Sequence, residues 1–171
     1  QVTGAYKVRG AFVKIARLDA EQKKCGLITA SAGNHAQGVA LAAQMQKLKA
    51  TVVMPATTPL VKVNNTKAYG AKVILFGENY DEAYEHACAL SERSGFTYIH
   101  PFNDLDIASG QGTIAFEILE DLPDTDVIVL PVGGGGLAAG VATLAKMLKP
   151  DIQIIGVEPC GAACVKLSFE Q

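Results

Sequence analysis

The sequence predicts an α/β fold in which parallel sheets lie between helices, in three α/β/α layers. Three observations point there. Short β-branched runs alternate with longer helical patterns along the 171 residues. The joining loops are short, and glycine or proline marks most of the changes. Strands separated by helices pair in parallel through crossovers, because a hairpin needs two strands joined directly.

The elements follow in order. Tyr6 to Leu18 reads as a helix, with Val8, Ala11, Phe12, Ile15 and Leu18 at helical spacing. Gly26–Ala30 is a short strand, and Asn34 to Leu48 an alanine-rich helix. Ala50–Met54 is a strand ended by Pro55, and Pro59 to Tyr69 a helix stopped by Gly70. Ala71–Phe76 is a strand closed by Gly77, and Tyr80 to Ser94 a helix with Gly95 just past its end. Phe96–Ile99 is a strand. Ala108 to Leu122 is a helix with Ile114, Ile118 and Leu122 on one face. Asp126–Pro131 is a strand, Leu137 to Leu148 a helix and Ile152–Val157 the last strand. There is no internal repeat and no low-complexity linker. The proline-bearing loop His100–Asp104 is the best domain boundary.

Composition narrows the function classes. Hydrophobic residues make up 49% and charged residues 19%, enough to build a core. The net charge is −2 and no basic run stands out, which argues against nucleic acid as a partner. No apolar stretch is long enough to cross a bilayer, and the N-terminus lacks a signal-peptide pattern. Cys25, Cys88, Cys160 and Cys164 form no C-x-x-C pair and the histidines are scattered, which argues against zinc. Few cysteines among many glycines fit a reduced, cytoplasmic protein, with Cys88 as a small core residue. Gln1 opens without methionine just before a dense motif, and Gln171 stops inside a helical pattern. We therefore expect a chain cut short at both ends.

Three glycine-bearing motifs carry the chemistry. In Thr3–Ala11, Lys7 and Arg9 sit among small and apolar residues. A lysine so placed has a depressed pKa, and its amine can attack an aldehyde. Gly10 is expected to permit close backbone approach at the helix start. The plainer alternative is a solvated lysine at a helix start. In Ser31-Ala32-Gly33-Asn34-His35 a strand opens into a helix. Ser31 can cap, and the free first N–H groups suit a carboxylate or phosphate. Here the alternative is a capped turn with His35 satisfied by backbone. The third motif, Gly133-Gly134-Gly135-Gly136 before Leu137, is the most specific. Four successive glycines cost chain entropy that a simple turn does not need, and they let backbone N–H groups converge on an anion. No Lys-Ser/Thr pair follows, so this is not a P-loop.

A dinucleotide reading competes for the third motif. Gly133-x-Gly135-x-x-Ala138 fits the looser fingerprint, and Glu158 follows about 20 residues on, where a ribose-binding acid would stand. An NAD-binding module leaves the first two motifs unexplained. A lysine nucleophile, a second anion site and a glycine cradle together suit a phosphorylated aldehyde and a carboxylate substrate, as with pyridoxal 5′-phosphate (PLP) and an amino acid.

Gly4–Ala11, Ser31–Gly38, Gly110-Gln111-Gly112-Thr113 and Gly133–Leu137 occur in an order that resembles the threonine dehydratase (threonine ammonia-lyase) group. That group belongs to the PLP enzymes related to tryptophan synthase β, of fold type II. The resemblance covers essentially the whole chain. It implies that Lys7 carries the cofactor and takes the substrate's α-proton. It implies that Asn34 contacts the cofactor 3′-oxygen, and that Ser31, Ala32, Gly33, Asn34 and His35 hold the substrate carboxylate. Gly133, Gly134, Gly135 and Gly136, with Leu137, would cradle the phosphate.

The resemblance further implies a small domain over residues 1–105 and, over 106–171, part of a larger one that begins near Ile107. It also implies a cytoplasmic homo-oligomer, a small amino-acid substrate and a link to isoleucine biosynthesis. Expected products from L-threonine or L-serine are 2-oxobutanoate or pyruvate, with ammonia. Serine racemase and β-replacement synthase are the alternatives within the wider family. Tyr6 stands where Phe is commoner, and Ala5 where Ser is common. Ala32 stands where related racemases carry a serine, and alanine cannot move a proton, which favours dehydration. Glu158 could match an acid of the racemases' divalent-metal site, but Cys164 stands in place of the second acid, so no metal is expected. The family's residue facing the pyridine nitrogen lies outside this sequence, as does any regulatory domain.

Overall fold

The computed structural model describes residues 2–170, which form two compact units that divide between Pro101 and Phe102. The division falls inside the proline-bearing loop 100–104.

The first unit opens with helix α1 (Lys7–Arg17) and a short helix α2 (Ala20–Cys25). The second of these escaped the periodicity reading because six residues hold too little pattern. Its signal was local: Asp19 and Gln22 form a reciprocal capping box, and Gly26 ends the helix at φ +82°. Strand β1 (Leu27–Ala30) leads into α3 (Asn34–Met45), then β2 (Ala50–Met54), α4 (Leu60–Ala68), β3 (Lys72–Leu75), α5 (Tyr80–Ser94) and β4 (Thr97–Tyr98). Helix α3 stops three residues short of Leu48. Lys47 turns left-handed at φ 57°, and the Leu48 N–H bonds back to Ala43. Helix α5 spans the residues expected: the Asn79 side chain accepts from Glu82 N–H at its start, and Gly95 is left-handed at its end.

The strands are all parallel, in the order β3-β2-β1-β4. Every residue of β1 and β2 is buried, so this sheet is covered on both faces. Ile28, Ala30 and Val53 pack against Ala83 and Ala87 of α5. The alternate residues, including Leu27, Thr29 and Val52, are buried on the opposite face. Leu27, Ile28 and Ile15 of α1 are fully buried, each worth about 1.5–3 kcal/mol by burial.

The strand order places the site. From β1 the chain steps one way through β2 to β3, then returns to lay β4 on the other side of β1. The connections leaving β1 and β4 therefore diverge, and ligands bind in the crevice beyond the carboxyl ends of strands at such a switch point.

The second unit contains α6 (Leu105–Asp121), β5 (Val127–Pro131), α7 (Gly136–Leu148), β6 (Gln153–Val157), a 3₁₀ turn (Cys160–Ala162) and α8 (Cys164–Phe169). Helix α6 begins three residues before Ala108, because the Asp104 carboxylate accepts from the N–H groups of Asp106 and Ile107. Strands β5 and β6 pair in parallel. Ile128, Leu130 and Val132 face a core with Ala115, Val141, Ala145 and Ile152, while Val129 and Val157 on the other face are exposed. The described residues thus supply two layers of this unit, where three were expected. Its two long helices lie on the same face.

Candidate functional site

Lys7 is the first residue of α1, and its position is set by a neighbouring helix. A Cβ on Gly38 of α3 would meet Val8 N at 3.0 Å and Lys7 C at 3.1 Å. Only glycine lets α3 approach the α1 backbone so closely. Gly10, where close backbone approach was expected, is buried in the first turn of α1. A lone glycine within the alanine-rich Asn34–Met45 pattern was the available signal, since it costs such a helix about 1 kcal/mol.

The Lys7 side chain is not a solvated lysine. Its Nζ donates to the Pro101 carbonyl at 2.7 Å and lies 5.5 Å from the Tyr6 ring centroid. Burial pushes its pKa down, because desolvation penalises the ammonium. Pro101 follows β4, so the amine sits at the carboxyl end of the sheet, at the switch point.

The connection leaving β1 supplies the second motif. Ser31 does not cap α3. Gly33 is the N-cap residue, no side chain caps the helix, and the Ser31 hydroxyl accepts from Gly33 N–H at 3.3 Å. The first N–H groups of α3 therefore have no side-chain cap, which keeps the positive helix end available for an anion. Asn34 is the first helical residue. Ala32 brings no polar atom. His35 is 3% exposed, and its ring Nε2 contacts the Ile99 carbonyl at 3.1 Å. A carbonyl only accepts, so Nε2 carries the proton; Nδ1 is buried without a hydrogen-bond partner. Burial, ahead of the nearby Lys7 charge, drives the His35 pKa from 6.5 down to about 4.

This has a measurable consequence. The unfolded chain binds a proton on His35 between pH 6.5 and 4 while the folded chain does not, so stability falls as pH drops through that window. The loss from this group is about 3 kcal/mol. Denaturant unfolding at neutral pH and near pH 4 should show His35→Gln losing about that much less than the wild type. An equal loss in both would remove His35 as the cause.

In the second unit the glycines are required for different reasons. A Cβ on Gly134 would overlap the Phe102 ring, and one on Gly136 would meet the Phe102 carbonyl oxygen at 2.9 Å. Gly135 is left-handed at φ +83°, and Gly133 opens on free space. Helix α7 starts at Gly136 with no side-chain cap, one residue before Leu137. A groove of about 410 Å³ beside the turn is lined by Gly134, Gly135, Gly136, Phe102, Asn103 and Asp104. A side-chain-free turn at an uncapped helix start fits a phosphate, and the desolvated Lys7 amine fits an aldehyde. The residues present therefore suit PLP.

The pattern of the family described as pyridoxal-phosphate dependent enzyme matches residues 1–171. The chain belongs to that family. Among its relatives, the L-threonine ammonia-lyase of Thermotoga maritima is 54% identical over 158 residues, covering 92% of this chain and 39% of that protein. The solved structure of threonine deaminase isoform 2 from Solanum lycopersicum matches with a TM-score of 0.96 at 50% identity, over 99% of this chain and 50% of that one. Maize serine racemase matches with a TM-score of 0.92 at 41% identity, over 98% of this chain and 52% of that one. The chain thus spans between about two-fifths and one-half of the length of these relatives.

Glu158 has another use than a ribose or a metal. Its carboxylate accepts from Val165 N–H at 3.0 Å and Lys166 N–H at 2.9 Å, with the Cys164 thiol at 3.8 Å. The Lys166 and Val165 bonds hold its pKa below the usual carboxylate range. It does for α8 what an N-cap side chain would do. That occupation counts against the dinucleotide reading of the Gly133 turn, as does membership of the PLP family. Phe102, which shapes that turn, was missed; nothing in a single aromatic within a loop marks it.

Proposed function

We propose that this chain forms the cofactor-binding part of a PLP-dependent threonine ammonia-lyase, acting on L-threonine and L-serine to give 2-oxobutanoate or pyruvate and ammonia. The observation that carries this is the Lys7 amine, desolvated and placed beyond β4 at the switch point of a parallel sheet. Relatives named for threonine deamination at about half identity support the substrate.

PLP supplies an aldehyde for an amine to join and an electron-withdrawing ring that loosens the bonds at the substrate Cα. The chain's own residues do the rest. Lys7 would hold the cofactor and would take the α-proton as a general base, and the burial that lowers its pKa favours the free amine such a base needs. The uncapped N–H groups at the start of α3, with Ser31, Gly33, Asn34 and His35 in the same loop, bind the substrate carboxylate and orient the Cα–H bond. By the same resemblance Asn34 would also help to hold the cofactor. Gly133–Gly136 and Leu137 would hold the phosphate through backbone N–H groups at the uncapped α7 start. Ala32 carries no proton to deliver, so proton transfer stays with Lys7. This favours elimination over the racemase alternative.

A small N-terminal domain, a larger phosphate-binding domain, a cytoplasmic homo-oligomer and a biosynthetic role belong to the same reading and rest on the resemblance. Among the described residues no helix is long and apolar enough to cross a membrane.

The test is chemical. Protein mixed with PLP is reduced with borohydride, and the modified lysine is mapped by peptide mass spectrometry. A single adduct on Lys7 is the expected result. Absence of an adduct, or its presence on other lysines alone, overturns the assignment.

A further inference from the structure

The His35 ring does something beyond sharing a loop with the carboxylate site. Two buried donors converge on one carbonyl: the Thr29 hydroxyl reaches Ile99 O at 2.8 Å, and His35 Nε2–H reaches it at 3.1 Å. The same residue's N–H donates to Ile28 O at 2.8 Å. Ile99 is fully buried, as is Thr29. Its peptide groups are thus tied to β1 and to α3 just where the chain leaves β4. Two residues on, the Pro101 carbonyl receives the Lys7 amine at 2.7 Å.

We propose that His35 is a positioning residue: with Thr29 it anchors the Ile99 carbonyl and so fixes the Ile99–Pro101 turn that holds the Lys7 amine. The proposal rests on Lys7 being the reactive lysine. The chemistry needs a donor that stays neutral at working pH. A histidine this deeply buried meets that need, and a cation in its place would repel the Lys7 ammonium. A leucine or valine would fill the space without restraining the carbonyl. The buried Nδ1, which bonds to nothing, is tolerated because the opposite nitrogen is needed at Ile99. A fixed carbonyl stabilises the ammonium form of Lys7 through a charge-assisted hydrogen bond. Loosening the turn should therefore shift Lys7 further toward the free amine.

The experiment is competitive labelling of cofactor-free protein with acetic anhydride over a range of pH, read lysine by lysine by mass spectrometry. In His35→Leu the Lys7 labelling midpoint should fall by about one pH unit, or roughly tenfold more free amine at a given pH below it. His35→Gln keeps an N–H donor and should return the midpoint to the wild-type value. Thr29→Val, nearly isosteric, should shift it in the same direction as His35→Leu, and it carries the test if the leucine variant does not fold. The surface lysines Lys62 and Lys72 should not move, whereas general loosening would leave no shift peculiar to Lys7. A Lys7 midpoint that stays put or rises in the folded variants overturns the proposal. Because labelling needs no PLP, failure of the cofactor assignment would appear separately, in the borohydride mapping.

Discussion

Lys7→Ala should lower turnover of L-threonine by on the order of 10⁴-fold while leaving the chain folded. The two halves of this expectation have separate causes. Under the proposed function the rate would fall because one amine would serve both as the group that holds the cofactor and as the base at the substrate Cα. The fold survives because the native contribution of this side chain is small. It makes one hydrogen bond, to Pro101 O, and pays a desolvation penalty seen in its lowered pKa. These terms oppose each other, so the net change should stay within about 1 kcal/mol. The checks are 2-oxo acid release by PLP-loaded protein and denaturant unfolding of the same sample. Near-normal turnover would sink the assignment of Lys7. A large stability loss would mean that its structural role has been underestimated.

Gly140→Val should cost the second unit about 3 kcal/mol or more, near the upper end for overpacking. Helices α6 and α7 touch backbone to backbone. A Cβ at Gly140 would run into the Ala108 carbonyl oxygen and come within 2.8 Å of Gly112 N, and one at Gly112 would lie 2.8 Å from Gly140 O. A flexible side chain could swing away, but a helix backbone cannot. The helices would have to separate, unpacking Val141, Ala145 and Ala115 from Ile128 and Leu130. Gly161→Ala is the control, since a Cβ there meets nothing within 4 Å. Denaturant midpoints for the two variants give the comparison. Similar small losses in both would show that the contact relaxes at little cost.

Much of the site was legible because it is written in local chemistry. A lysine among small residues, a strand that opens into a helix at Ser31-Ala32-Gly33, and four consecutive glycines are all statements about adjacent residues. What escaped is what distant residues do to one another. Gly38 lies far along the chain from Lys7 yet seats its backbone. Ser31, a plausible cap by type, accepts from Gly33 instead, because the cap position falls on Gly33. Glu158 stood where a ribose or metal ligand could be, but the short helix α8 claims its carboxylate.

By itself the sequence determined the α/β class, the order of nearly every element and the residues proposed to carry the chemistry. Periodicity, caps and glycine punctuation are short-range properties of a chain and survive in a one-dimensional reading. The tertiary structure alone decided the strand order β3-β2-β1-β4, and with it which loops share a crevice. It also decided the burial that lowers the Lys7 and His35 pKa values, the tautomer of His35, and the anchoring of Ile99 between Thr29 and His35. Desolvation and hydrogen-bond convergence depend on which distant residues meet in space, and no window along the chain contains that information.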